Sequence, residues 1–186
     1  PPQLLHWDAA PFRGEYPDPP KFHGLQELQC TGESSGWHLG LTIAATHPGS
    51  IMGYIGHRDS RNPMGRLLEV DSFDENTGLQ CTMSYQFCDG LPIVRCFTTV
   101  ENKSSEPRGL EVLSTLVHPH IADLEDDASM LIPHNSWQQE LQWKENSLSQ
   151  LGSRYFVHNT SSGKRIQIRN IGSWSSGEYV PMACLR

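Results

Sequence analysis

Alternating apolar and polar residues define several short segments of the chain, which is the pattern of strands with one buried face. The clearest segment, residues 79–87, places Leu, Cys, Met, Tyr and Phe at every second position. Asp89-Gly90 follows and predicts a tight turn, because this pair tolerates positive φ angles. Residues 93–100 then predict the return strand, and residues 110–117 a third strand after a second turn at 104–109. Together these segments predict a three-stranded antiparallel meander.

The remaining segments give weaker predictions. Residues 37–43 alternate and predict another half-buried strand, and residues 67–72 predict one more. Residues 57–66 are charged and contain Pro and Gly, so they predict a loop. Residues 136–151 fit a short helix or an irregular strand equally well. Residues 155–169 predict a second hairpin around a Ser-Ser-Gly turn.

These elements indicate the fold class. No long helical period and no internal repeat is visible, and 16 Gly and 13 Pro punctuate many short elements. The sequence therefore predicts an all-β protein, an antiparallel β-sandwich formed by residues 25–186 as one domain. Residues 1–24 are rich in proline and aromatic residues without a period, and they predict an extended N-terminal arm.

Composition and charge exclude some classes of function. The 186 residues carry a formal net charge of −7, and no stripe of Lys and Arg is present, so a nucleic-acid partner is not expected. No apolar run approaches the roughly 18 residues that a membrane-spanning helix needs. The chain begins Pro1-Pro2-Gln3 without a methionine or a signal peptide, so we expect a fragment of a longer protein.

The cysteines bear on localisation. There are five, an odd number without any Cys-x-x-Cys pair, which argues against a disulfide framework and a zinc knuckle. Asn102 and Asn159 begin glycosylation triplets, but two such triplets are near chance for this length. The sequence slightly favours a reducing, cytoplasmic setting over secretion.

One group of residues has the spacing of a metal site. His118 and His120 lie two residues apart and would share one face of a strand, and Glu125 follows them. This spacing resembles the first metal motif of cupins. However, Val112 and Ile132 stand where a cupin has glycine. The alternative is that the three residues leave a strand and enter an acidic surface loop.

Carboxylates and tryptophans are the other candidates for chemistry. A glycosidase needs two carboxylates that face each other across a sugar, whereas Asp71, Asp74 and Glu140 are explained by loop or surface positions. Indole rings stack on sugar rings, although most tryptophans pack in cores. Trp137 and Trp174 lie beside small or polar residues, so they are the better candidates for a surface role.

Four segments of the chain resemble a known family when they are taken in order. Residues 82–95 have the sequence TMSYQFCDGLPIVR, and residues 100–107 have the sequence VENKSSEP. Residues 137–143 have the sequence WQQELQW, and residues 172–182 have the sequence GSWSSGEYVPM. These segments are similar to segments of the N-terminal domain of glycoside hydrolase family 36 α-galactosidases, the melibiases.

The resemblance implies a fold and an activity. The N-terminal domain of this family is a supersandwich of antiparallel strands, like galactose mutarotase, and it packs on a catalytic (β/α)8 barrel. The barrel carries two catalytic aspartates and releases terminal α-linked galactose from oligosaccharides, with retention and without a cofactor. Many members are homo-oligomers, so the resemblance admits a homo-oligomer here.

The resemblance also limits which residues take a role. The barrel and the last strands of the sandwich have no counterpart in the sequence, so we expect an incomplete, non-catalytic domain. Only Trp174 and Glu178 are carried over, as structural residues or as substrate-binding residues at the rim of the active site. Two alternatives stay open: an independent carbohydrate-binding β-sandwich module and a cupin-like metal-binding protein.

Overall fold

A computed structural model describes residues 2, 4, 24–33, 49, 51–118, 128–151, 166–170 and 177–186. Most of the predicted arm at 1–24 and the whole predicted strand at 37–43 lie outside these residues. The chain divides into two compact units, which we call the N-terminal unit (residues 1–120) and the C-terminal unit (residues 121–186). The predicted single domain at 25–186 stays a prediction.

The described residues are nearly all β, and every pair of strands is antiparallel. The strands are β1 (Leu28–Cys30), β2 (Gly53–Asn62), β3 (Gly65–Asp74), β4 (Leu79–Phe87), β5 (Val94–Asn102), β6 (Leu110–Leu113), β7 (Ser129–Ser136), β8 (Gln139–Ser147) and β9 (Cys184–Leu185). The all-β prediction is confirmed, whereas the sandwich packing stays a prediction. No helix among the described residues is long and apolar enough to cross a membrane.

A four-stranded meander, in the order β2-β3-β4-β5, forms the larger sheet of the N-terminal unit. Its central strand β4 matches the predicted segment, and Leu79, Cys81 and Met83 are buried on one face. The predicted turn after β4 is also confirmed, since Leu91 N–H donates to the Cys88 carbonyl and Gly90 has a φ of 76°. The buried face of β4 and the turn after it therefore lie where the sequence pattern predicts them.

Two buried clusters join this sheet to the shorter strands. Leu28 and Cys30 of β1 and Met52 pack with Leu79 and Cys81 of β4. A second cluster combines Leu25 with two residues of β4, and half-buried side chains of β3 and β5 cover it; its β4 members are Met83 and Tyr85. The inner face of β4 therefore supplies both clusters.

The predicted three-stranded meander is wrong in its third strand. The prediction placed the third strand beside β5. In the structure, β6 pairs with β1, so that Leu113 lies opposite Leu28, and the strand that extends the β4–β5 pair is β3, on the other side of β4. Residues 103–109 carry the chain away from β5, and Thr31 N–H donates to the carbonyl of Gly109 at the end of this connection. Leu28 and Cys30 of β1 are buried, whereas Leu110 and Leu113 of β6 stay exposed, so what β6 supplies is backbone hydrogen bonds for a strand that cannot bond to water.

The predicted loop at 57–66 is also wrong. Residues 53–62 form β2 and residues 65–74 form β3, with a tight turn at Pro63-Met64 between them. The Asn62 side-chain oxygen accepts hydrogen bonds from Met64 N and Gly65 N, which closes the turn. Charged residues suit this hairpin because β2 lies at the sheet edge, where nearly all its side chains are exposed.

In the C-terminal unit, β7 lies between β8 and β9. Residues 139–147 form strand β8, which decides between the helix and the strand that the sequence left open. The predicted hairpin at 155–169 falls mostly outside the described residues, and residues 166–169 are described without strand pairing. That part of the prediction is therefore wrong, whereas residues 155–165 are untested.

Gly65 provides a test of the end of the larger sheet. It has a φ of 139°, and a Cβ added there would collide with the Phe87 carbonyl oxygen. We expect Gly65→Ala to lower the free energy of unfolding by at least about 1–3 kcal/mol, measured by urea denaturation. Gly56→Ala is the matched control, since its Cβ would meet nothing within 4 Å. Equal stability of the two variants would contradict the described close approach.

Candidate functional site

Only some of the candidate residues selected from the sequence lie within the described ranges. Trp174, His120 and Glu125 lie outside the described residues. His118 lies half-buried at the end of the N-terminal unit, and Glu178 lies in the C-terminal unit beside β7. Within the described ranges no three His, Cys, Asp or Glu side chains come together as metal ligands. The metal site of His118, His120 and Glu125 therefore stays a prediction.

Two of the three acids considered for glycoside hydrolysis are buried, which corrects the expectation of loop or surface positions. Asp71 is 6% exposed and Asp74 is 3% exposed, both on β3. Asp74 closes the next turn, because its carboxylate accepts from Asn76 N and from Thr77 Oγ1 at 2.7 Å. Glu140 is exposed on β8, in the other unit.

Asp71 is held in an ion pair. Arg58 donates to its carboxylate, and Thr82 Oγ1 donates to Oδ1 at 2.6 Å. Burial raises the pKa of Asp71, but the hydrogen bonds from Thr82 and Arg58 outweigh it and hold the pKa below its usual value. A carboxylate that is charged, buried and fully engaged stabilises the sheet and is poorly suited to donate a proton to a leaving group.

This pair predicts a pH dependence. A depressed pKa gives stability that is complete above the unfolded-state value near 4 and is lost as the pH falls through the folded-state value. We expect Asp71→Asn to lower the free energy of unfolding at pH 7 by about 1–2 kcal/mol. The loss is no larger because Arg58 is exposed and the water around it screens the ion pair. The difference from the original chain should shrink below about pH 4.

The control for this measurement is Asp59→Asn, which breaks the exposed ion pair between Asp59 and Arg66. It should change stability little, because exposed pairs are screened by water and salt. Urea denaturation of the three proteins at pH 7 and pH 3 gives the comparison. A loss for Asp71→Asn that is as large at pH 3 as at pH 7 would refute the role of the charge.

In the C-terminal unit, the fold brings two sequence-distant segments together. The Asn135 backbone N–H donates to the Glu178 carbonyl oxygen at 2.9 Å, and His134 bridges to Tyr179. The rings of His134 and Tyr179 have centroids 4.9 Å apart. The side-chain hydrogen bond with Glu178 raises the pKa of Tyr179. Glu178, the described candidate from the family resemblance, therefore lies directly beside β7.

The hairpin of β7 and β8 leads from this contact to an exposed tip. Trp137 occupies the turn between the strands and is 71% exposed, which confirms its predicted surface position. Trp143, which lies opposite buried Pro133, is 45% exposed. Both indoles are thus accessible on one hairpin.

The backbone at the tip is strained. Gln138 has a φ of 59° and Leu141 has a φ of 56°, whereas such angles cost a non-glycine residue roughly 1–2 kcal/mol. A bulge near Asn135 shifts the register, and the Asn135 side-chain oxygen accepts from Leu141 N at 2.8 Å. This hydrogen bond fixes Leu141 in its unusual conformation. Strain of this kind concentrates where a particular side-chain position is needed.

The polar side chains around Trp137 are neutral except for one carboxylate. Beside the exposed apolar residues Trp137, Leu141 and Trp143, the exposed polar residues of the tip are Ser136, Gln138, Gln139, Glu140 and Gln142. Hydroxyl and amide groups both donate and accept hydrogen bonds, and a carboxylate accepts them, so the tip can pair with sugar hydroxyls in either direction. The tip offers an aromatic face and polar partners, but residues 136–143 hold a single acid and no facing carboxylate pair.

Family models, curated proteins and solved structures were compared with the chain, and none of them matches it. The assignment of a role therefore depends on the chemistry of the residues and on the resemblance of the segments.

Sequence reasoning selected Trp137 and Glu178 but missed Asn135 and the strained residues. Asn135 is buried, and a buried polar residue needs hydrogen-bond partners. Its chain neighbours His134 and Ser136 are polar as well, so no signal in the sequence marks this burial. Nothing in the local pattern indicates that its oxygen accepts from Leu141 or that its N–H reaches Glu178.

The strain at the tip predicts opposite effects for neighbouring glutamines. Gln138→Gly should raise the free energy of unfolding by about 0.5–1 kcal/mol, because glycine adopts a positive φ without a steric penalty. Gln139→Gly should lower it by a similar amount, since glycine in a strand of ordinary φ only adds unfolded-state entropy. Thermal unfolding of both variants checks this. Destabilisation by Gln138→Gly as large as that by Gln139→Gly would show that the turn is unstrained.

Proposed function

We propose that the chain is the non-catalytic N-terminal β-sandwich of an α-galactosidase that hydrolyses terminal α-linked galactose from oligosaccharides. One observation carries this proposal. Residues 137–143 and 177–182, which lie far apart in the sequence and both resemble the family, flank the same strand: β8 pairs with one edge of β7, and Glu178 and Tyr179 contact its other edge at Asn135 and His134. A resemblance that rests on separate segments is better supported when those segments lie together in the fold.

The rest of the fold supports the same proposal. Residues 82–95, the longest of the resembling segments, form most of β4, the turn after it and the start of β5 in the larger sheet. The all-β architecture with antiparallel strands is the class that the family's N-terminal domain has. The segments that carry the resemblance are therefore structural elements of this chain.

The acids of the described residues support a non-catalytic role. Asp71 is committed to Arg58 and Thr82, and Asp74 to a turn. Retaining hydrolysis needs two carboxyl groups about 5–5.5 Å apart across the sugar. The proposal therefore assigns both catalytic aspartates to a (β/α)8 barrel in the same polypeptide. The role of this chain is to support that barrel and to form part of the active-site rim, without a cofactor.

The test is hydrolysis of p-nitrophenyl α-galactoside by two proteins. The first is the 186-residue chain, and the second is the same chain with the sequence that follows it in its gene. We expect no turnover by the first, because its buried acids Asp71 and Asp74 are engaged in structural contacts, and retaining hydrolysis by the second. Release of p-nitrophenol measures turnover, and proton NMR of the released sugar shows its anomeric form.

The control substrate is p-nitrophenyl β-galactoside, which the extended protein should leave intact. Turnover by the short chain alone would overturn the non-catalytic role. An extended protein that lacks α-galactosidase activity would overturn the family assignment. Binding of galactosides by the short chain together with that inactivity would favour the independent carbohydrate-binding module.

A further inference from the structure

We propose that the tip of the β7–β8 hairpin is a saccharide-binding platform, in which the Trp137 indole stacks on a pyranose ring. The platform consists of residues 136–143. This inference deepens the proposed function by adding a contact for the galactoside within the sandwich, and its galactoside specificity rests on that function. The stacking itself follows from the described geometry alone.

The exposure of Trp137 is the first step. Indole is among the largest apolar side chains, and leaving 71% of it exposed forgoes the hydrophobic stabilisation that its burial would provide. Two-residue hairpin turns favour Asn, Asp and Gly, which tolerate the positive φ angles of such turns. A tryptophan in this turn contributes nothing to turn formation, so its position is explained by contact with a ligand.

The strained backbone is the second, independent step. Gln138 and Leu141 keep positive φ angles in a hairpin where glycine would avoid the steric penalty. The Asn135 side chain fixes Leu141 through its backbone N–H at 2.8 Å. The tip is therefore held in one conformation before any ligand arrives. An ordered backbone reduces the conformational entropy lost on binding to that of the exposed side chains.

Charge selects the class of ligand. Residues 136–143 contain no Lys or Arg and one acid, Glu140. Arg and Lys are the side chains that pair with phosphate and carboxylate ligands, so the tip favours a neutral ligand over an anionic one. Three glutamines and a serine are exposed on the same tip as the indole, and their side chains can pair with hydroxyls in either direction. A neutral polyhydroxylated ring with an apolar face, such as a galactopyranoside, matches this surface.

The experiment is calorimetric titration of the 186-residue chain with methyl α-galactoside and melibiose as probes. One ring stacked on one indole should bind with a dissociation constant of roughly 1–10 mM. Trp137→Ala should weaken binding by at least about tenfold, while Trp137→Phe should retain part of it, since a smaller aromatic face remains. Thermal unfolding should be unchanged in both variants, because the side chain is exposed.

The control variant is Phe97→Ala, which removes another exposed aromatic residue, in the N-terminal unit. It should bind both probes as the original chain does. Cellobiose, a β-glucoside, is the control sugar. Galactoside binding that is lost with Trp137→Ala supports the platform. Absence of binding to all three sugars, or binding that Trp137→Ala leaves intact, overturns it.

One further outcome separates this inference from the proposed function. Binding of cellobiose but not of the galactosides, lost in Trp137→Ala, would keep the platform and overturn its galactoside specificity. Conversely, α-galactosidase activity of the extended protein without any role for Trp137 would keep the proposed function and overturn the platform.

Discussion

Burial of the inner face of β4 is the constraint on which the N-terminal unit depends. This strand is paired on both sides, with β3 and β5, and its residues Leu79, Cys81, Met83 and Tyr85 contribute to both buried clusters. A slip of one residue in either pairing would turn these side chains to the opposite face. The hydrophobic effect thus fixes the register of β3 and β5, and with it the positions of the turns at both ends of the sheet.

Local patterns predicted the parts of the fold that depend on local chemistry. The alternation at 79–87 gave the strand and its buried face, and Asp89-Gly90 gave the turn. Local patterns could not predict which strands pair with each other. β6 joins β1 across about 80 residues of sequence, and β2 is polar because its charges pair across strands, as Arg58 does with Glu69. Such stabilisation depends on a neighbour that the local sequence does not contain.

The same distinction applies to the candidate site. The small and polar neighbours of Trp137 predicted its exposure, and the family resemblance selected Glu178. The contact of Asn135 with Glu178 and Leu141 joins three segments, so no pattern within one segment predicts it. The bulge needs that contact, because two residues with positive φ are stable only where surrounding interactions hold them. The shape of the tip is therefore a tertiary property.

The two units use polar groups in different ways, and this difference bears on function. In the described part of the N-terminal unit, Asp71 accepts hydrogen bonds from Arg58 and Thr82, and Asp74 accepts hydrogen bonds within a turn. In the C-terminal unit, the amides and the carboxylate around Trp137 face solvent on a strained, fixed tip. Polar groups that are already paired stabilise a scaffold, whereas exposed ones on an ordered backbone stay available to a ligand. Under the proposed function, the paired acids belong to a supporting domain, the exposed tip is its sugar contact, and the hydrolytic carboxylates lie in the barrel.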